Sequence, residues 1–162
     1  MPLNVRTAAS TEHDVADRIA RAAFSEYERE FPDWIPLLKD GRRMARLAAE
    51  GELLVAELDG ALVGTVGYLP PGRSKDPVFR PEWAVLRMMA VDPGHRGRGV
   101  ARALAEECAR RARRDGAASL ALYTSPAMKV AVELYVRMGF QRRTGIAPVI
   151  GMPAVLYELP LA

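Results

Sequence analysis

The sequence predicts one α/β (α+β) domain in which a mixed sheet is flanked by helices. Short apolar runs bounded by Gly, Pro or Asp are the most frequent pattern. Amphipathic stretches of helical period lie between several of them, which favours a sheet with helices packed on it over a pure β architecture. At 162 residues, the chain can bury about two thirds of its unfolded surface around a single core, so one domain over residues 1–162 is expected. Charged residues at 27% and hydrophobic residues at 49% exclude a disordered or membrane-embedded class. The longest apolar runs fall far short of the ~20 residues a membrane span needs. One cysteine, Cys108, allows no internal disulfide, and the core needs no metal. No charged-then-apolar leader precedes Leu3, so a cytoplasmic location is expected.

Residues 3–7 form a first strand. Ser10 or Thr11 is expected to cap a helix running to about Arg29, with Val15, Ile19, Ala23 and Tyr27 spaced by fours. FPDWIP interrupts it. Asp33 is then expected to cap a second short helix, whose apolar side is Leu37, Leu38, Met44, Leu47 and Ala48 up to Gly51. Phe31 and Trp34 fall at the junction, where an aromatic suits a pocket wall or a core plug equally. Residues 52–58 and 61–69 read as a β-hairpin about an Asp59-Gly60 turn. Residues 70–81, with four prolines, are a surface loop of the kind that covers a site. A buried strand over residues 84–91 ends at Asp92-Pro93-Gly94, and a helix over residues 100–115 buries Ala101, Leu104, Ala105, Cys108 and Ala112. Cys108, on that buried stripe, reads as structural. A strand at residues 119–124 is punctuated by Ser125-Pro126. A helix at residues 127–138 stops at Gly139, and strands at 140–143 and 154–159 flank TGIAPVIGMP.

The segment HRGRGVARALAEECARRA, residues 95–112, follows the apolar run VLRMMAV. Gly97 and Gly99 permit positive φ and close backbone approach, so successive N–H groups can turn toward one anion where the helix from Val100 begins. Arg96 and Arg98 supply fixed charge beside it. A helix end alone contributes only ~0.3–1 kcal/mol per exposed charge, so tight binding requires amides and arginines together, and a diphosphate fits that demand. Seven arginines lie between Arg96 and Arg114 against Glu106 and Glu107 only. For Arg110, Arg111, Arg113 and Arg114, a solvated helix face and a basic patch are equally good readings. Nucleic-acid binding lacks the stacking aromatics that should interleave with such a patch.

The order of strand, DPGHRGRGVA turn, long helix, strand, TSPAM and helix LYVRMGF resembles the GNAT superfamily of acyl-coenzyme A-dependent N-acyltransferases. Arg96, Gly99 and Ala101 match that family's R/Q-x-x-G-x-G/A turn. Leu134, Tyr135, Gly139 and Phe140 match its LYxxxGF ending. Together the motifs span residues 86–140, about a third of the chain. Neither Gly-Lys-Ser/Thr nor G-x-G-x-x-G is present to favour another nucleotide site. The resemblance implies a mostly antiparallel sheet of six to seven strands with about four helices, and acetyl-coenzyme A as cosubstrate. It places the pyrophosphate on Arg96, Gly97, Arg98, Gly99, Val100 and Ala101, and the pantetheine arm beside Met89, Ala90 and Val91 as an added strand. The acyl group would lie between this strand and the one ending at Thr124, with Met128, Ala131 and Tyr135 opposite. An amine would attack the thioester directly through a tetrahedral intermediate. Backbone N–H at Met89 or Ala90 would stabilise the oxyanion, and Tyr135 would donate to the departing thiolate. Without the family match, Tyr135 reads as core.

Two departures from the family pattern stand out. Met128 replaces an asparagine that often binds the pantetheine arm, and Arg87 stands on the strand that often carries a glutamate base. Presenting an alkyl amine of pKa ~10.4 in neutral form at pH 7 costs ~4.6 kcal/mol, against ~1.4 kcal/mol for an α-amine near pKa 8. The expected acceptor is therefore a low-pKa amine, or one deprotonated through water held by Glu57, Glu82 or Asp92. A small-molecule amine is the expected partner, with a protein N-terminus or lysine as the alternative. Arg73, Lys75 and Arg80 would suit an anionic acceptor, and Phe31, Trp34, Phe79 and Ile150 a partly apolar pocket. A non-catalytic acyl-coenzyme A sensor would share the turn but need no acceptor pocket. Neither nucleic acid nor membrane is an expected partner, and the resemblance adds a homodimer as an expectation.

Overall fold

The computed structural model describes residues 3–39, 41–74 and 76–161. Lys75 lies outside the described residues. Seven strands form one sheet in the order β1-β2-β3-β4-β5-β7-β6. They are β1 Leu3–Thr7, β2 Glu52–Leu58, β3 Ala61–Leu69, β4 Trp83–Val91, β5 Ser119–Thr124, β6 Gln141–Val149 and β7 Met152–Pro160. All neighbours are antiparallel except β4 and β5. The helices are α1 His13–Phe24, α2 Ile35–Leu38, α3 Arg43–Glu50, α4 Val100–Arg114 and α5 Lys129–Arg137. No helix among the described residues is long and apolar enough to cross a membrane.

Adjacent residues of a strand face opposite sides of the sheet, and the two faces here hold separate cores. Leu54 packs with Leu104, Cys108 and Ala112 of α4 and Tyr135 of α5. Leu53 packs with Ile19 and Phe24 of α1 and Met44 and Leu47 of α3. Asp59 at φ 52° and Gly60 at φ 80° form the expected primed turn between β2 and β3. Gly64 on β3 has a distinct purpose: a Cβ there would lie 2.8 Å from the Val100 side chain and 3.0 Å from that of Leu104. Its absence lets the start of α4 seat directly on the sheet.

Several expectations are corrected. The first helix ends at Phe24, with a 3-10 turn over Ser25–Tyr27 beyond it, rather than near Arg29. Neither Ser10 nor Thr11 caps it; the Glu12 carboxylate instead accepts the Ala9 N–H at 2.7 Å, closing a 3-10 turn that precedes α1. Asp33 caps nothing, because Trp34 is the N-cap of α2. The apolar side expected for one helix is split between α2 and α3, leaving Leu37 exposed. TGIAPVIGMP is a continuation of the last hairpin, turning at Ile150 (φ 50°) and Gly151 (φ 78°). Pro148 is tolerated because β6 is an edge strand. Arg111 is buried, so it belongs to no solvated face.

Candidate active site

β4 and β5 pair only through Trp83–Val85 and Ser119–Ala121, and beyond that point they separate. On its other side β4 carries a bulge. Thr65 pairs with Ala90 and Gly67 with Arg87, so one extra residue is inserted opposite Val66, and Met88 takes φ 56°. A bulge bends the strand and leaves ladder groups unpaired. Bulge and separation together open a cavity of about 600 Å³ in the middle of the sheet.

The cradle lies at one end of this cavity. After Pro93–His95, Gly97 and Gly99 both sit at φ 78°, and a Cβ on either would meet nothing within 4 Å. Gly99 is the N-cap of α4 and its carbonyl accepts the Ala103 N–H at 3.0 Å. The N–H groups of Val100, Ala101 and Arg102 therefore lack intrahelical acceptors, and no side chain caps them. Gly97, Gly99, Val100 and Ala101 all line the cavity. This backbone, open to the cavity and without a Cβ at Gly97 and Gly99, fits a diphosphate.

Charge at the cradle differs from the sequence expectation. Arg96 lines the cavity but pairs with Glu26, at 2.9 Å, and also donates to the Ala23 carbonyl at 3.3 Å. Arg98 is exposed and is not among the lining residues. His95 does line the cavity, with Nδ1 2.6 Å from an Asp92 carboxylate oxygen.

The long walls come from β4 and α5. Met89, Ala90 and Val91 line one side, Thr124, Met128 and Ala131 the other. Thr124 Oγ1 donates to Met128 Sδ at 3.6 Å, which fixes the thioether at the start of α5. Tyr135 also lines the cavity; its ring packs 5.4 Å from Phe140, and burial, with a smaller push from Cys108, raises its hydroxyl above the ordinary phenol value. Burial likewise pushes the Cys108 thiol up, consistent with an inert packing role.

Aromatic side chains line much of the rest. Phe24 meets Trp34 edge-on at 5.0 Å, and Phe79 stacks on Tyr123 at 5.7 Å. Trp34 and Phe79 thus serve the core and the wall together, while Phe31 is buried away from the cavity. Arg43 and Arg87 also line the cavity, as do Val149 and Ile150 from the last hairpin. Glu57 is held by Arg6 at 3.2 Å, and neither it nor Glu82 nor Asp92 lines the cavity. Sequence reasoning missed Glu26, Tyr27, Arg43, His95 and Tyr123 as wall residues. Only His95, inside the motif, left a signal that could have found it.

The family model described as "Acetyltransferase (GNAT) family" matches residues 15–140. A probable N-acetyltransferase family 8 member 5 of Mus musculus is 42% identical over 96 residues, 59% of this chain but 41% of that protein. N-acetyltransferase 8B of Homo sapiens is 39% identical over 88 residues, 54% of this chain and 37% of its own length. The chain thus matches about two fifths of the length of these relatives. The fold of PaiA N-acetyltransferase from Thermoplasma acidophilum in complex with coenzyme A superposes with TM-score 0.79 at 14% identity, covering 99% of this chain and 100% of that one. Ribosomal-protein-alanine N-acetyltransferase from Brucella melitensis superposes with TM-score 0.76 at 20% identity, covering 98% and 99%.

Proposed function

This chain belongs to the GNAT acetyltransferase family, and we propose that it transfers an acetyl group from acetyl-coenzyme A to the primary amine of a small molecule. The observation that carries this reading is the backbone turn at Gly97 and Gly99, which opens at the start of α4 onto the cavity between β4 and β5. Amides at a helix start favour a diphosphate, and a separated strand edge suits a peptide-like arm. In this reading Arg96, Gly97, Gly99, Val100 and Ala101 hold the pyrophosphate, and Met89, Ala90 and Val91 hold the arm. Thr124, Met128 and Ala131 form the facing wall.

The coenzyme supplies an activated thioester. The chain's part is positioning and proton placement. Beyond Val85 the N–H groups of β4 that face β5 have no strand partner, and in this reading Met89 donates to the developing oxyanion. Ala90, two residues before the Asp92 N–H that bonds the Val63 carbonyl, turns its own N–H toward β3. Tyr135, kept protonated by burial, donates to the departing sulfur. Glu26 is the one carboxylate among the described lining residues, and it is engaged by Arg96, so the reading favours an acceptor whose amine loses its proton readily.

Calorimetry with acetyl-coenzyme A, followed by thiol-release assays over small amines and mass spectrometry of peptide mixtures, tests the proposal. Binding together with release driven by a small amine is expected. No heat at millimolar acetyl-coenzyme A would overturn the coenzyme reading, and transfer confined to peptides would overturn the small-molecule acceptor.

A further inference from the structure

We infer that the acceptor is an amphiphilic amino acid, with its carboxylate on Arg87 and an apolar substituent among the aromatic side chains of the cavity; this rests on the acyl-transfer reading above. Arg87 is half-buried on β4 and lines the cavity. Arg6, Arg96 and Arg111 each close on a carboxylate. Arg87 has no hydrogen-bond or ion-pair partner among the described residues. A guanidinium stays charged at any working pH, and holding one half out of water without a partner is unfavourable. The missing partner is an anion that arrives with the ligand.

Position and surroundings say which ligand. Arg87 directly precedes the bulge, and a rise of ~3.3 Å per residue puts it about 7 Å along β4 from Met89. A guanidinium on a side chain of that reach meets a carboxylate one or two carbons from the attacking nitrogen. The coenzyme's phosphates belong at the other end, beyond Val91. Arg87 and Arg43 would repel a bare ammonium, whereas an amino acid brings the compensating charge. Phe24, Trp34, Phe79 and Tyr123 offer apolar area for its substituent. In the reaction the ammonium first gives a proton to solvent, and the C–N bond then forms as the C–S bond breaks. Tyr135 gives its proton to the thiolate and is reprotonated by the second proton leaving nitrogen, giving an N-acetyl amino acid and free thiol.

The test measures kcat/KM for apolar α- and β-amino acids beside their decarboxylated amines, L-phenylalanine against 2-phenylethylamine first, in wild type, Arg87→Gln and Arg87→Lys. Wild type should prefer the carboxylate partner by about tenfold or more, the scale of a charge-assisted pair. Arg87→Gln should bring the ratio to about one, and Arg87→Lys should retain part of it. Acetyl-coenzyme A affinity by calorimetry should stay within twofold in both variants, which reports that they fold. Equal use of both members of each pair by wild type overturns the inference, as does a ratio unchanged by Arg87→Gln. A weakened coenzyme complex in Arg87→Gln reassigns the residue and also overturns it. Coenzyme binding without transfer to any panel member overturns this inference alone, whereas absent coenzyme binding removes the reading beneath it.

Discussion

Arg96 turns away from the glycine turn it belongs to and closes on Glu26, Nη2 to Oε1, at 2.9 Å. The cradle is thereby tied to the 3-10 turn that follows α1, and its positive charge is already partly neutralised. Both side chains are about half exposed, 46% and 47%, and such a pair contributes only ~0.2–1 kcal/mol. Two phosphates can compete for the guanidinium on those terms. Glu26→Gln is therefore expected to tighten acetyl-coenzyme A binding by up to about fivefold, with melting temperature moved by no more than about 4 °C. Calorimetry beside a thermal melt checks this. An unchanged Kd would mean that Arg96 stays on the α1 side in the complex.

Gly99→Ala separates backbone strain from binding. Space is available for the methyl group, so the stability loss is the ~1–2 kcal/mol of placing an L-residue at φ 78°. Gly60, at φ 80° with nothing within 4 Å of a Cβ, is the matched control on a remote hairpin. Both variants should lose a similar few degrees in a melt, about 2–8 °C. The KM for acetyl-coenzyme A should rise tenfold or more in Gly99→Ala alone. A rise in both would show a general loss of fold rather than a damaged cradle.

Tyr135→Phe removes one oxygen and keeps the ring against Phe140. A positioned general acid contributes typically 10²–10⁴-fold, so kcat should fall by about 10² or more while coenzyme affinity holds within threefold. Because burial raises the hydroxyl above its ordinary value, the wild-type pH–rate profile should show no inflection from this group below about pH 10. Full activity in Tyr135→Phe would return the residue to the core and leave the thiolate to take its proton from solvent.

Legibility in the sequence followed the range of the interactions. The β2–β3 hairpin turns on one Asp-Gly pair, α4 on a glycine turn and a helical stripe, so both were visible locally. TGIAPVIGMP carries two prolines and reads as a loop, yet it is strand, because edge position excuses Pro148 from the ladder. The cradle could be read from residues 95–101 alone. The wall from Glu26 to Trp34 could not, since it is defined by where α1 happens to face β4. Nor could the pairing of Arg96 with a residue seventy positions earlier, nor the bulge at Met88, whose cause lies in its pairing with β3.

Asp17 is a buried carboxyl on α1 with Oδ1 accepting the Met44 N–H at 3.3 Å and Oδ2 unpaired. Burial outweighs that one bond and raises its pKa. The folded state thus favours the protonated acid, and stability declines as pH rises above the unfolded value of ~3.9. Asp17→Asn keeps the acceptor on Met44 and removes the charge. It should melt about 2–4 °C higher than wild type at pH 7, a gain of ~1 kcal/mol, and the difference should vanish toward pH 4. A lower melting temperature at pH 7 would show that the ionised carboxylate is required at the start of α3.

Arg111 joins three elements: its guanidinium meets Glu52 of β2 at 2.7 Å, Glu107 of α4 at 2.8 Å and Thr7 Oγ1 of β1 at 2.9 Å. Removing one partner from a buried pair leaves uncompensated charge, which costs ~3–5 kcal/mol. Arg114 still holds Glu52 and Arg110 still holds Glu107, so Arg111→Ala should fall at the low end, about 3 kcal/mol or roughly 6–12 °C in melting temperature. Acid should narrow the gap. Arg110 and Arg111 together hold Glu107 down at about 2. That stabilisation is complete above the unfolded value near 4.5 and is lost as pH falls through the folded one. Melts of wild type and Arg111→Ala from pH 6 to pH 2 should therefore converge below about pH 4. Parallel curves throughout would assign the loss to packing of the arginine stem instead of its charge.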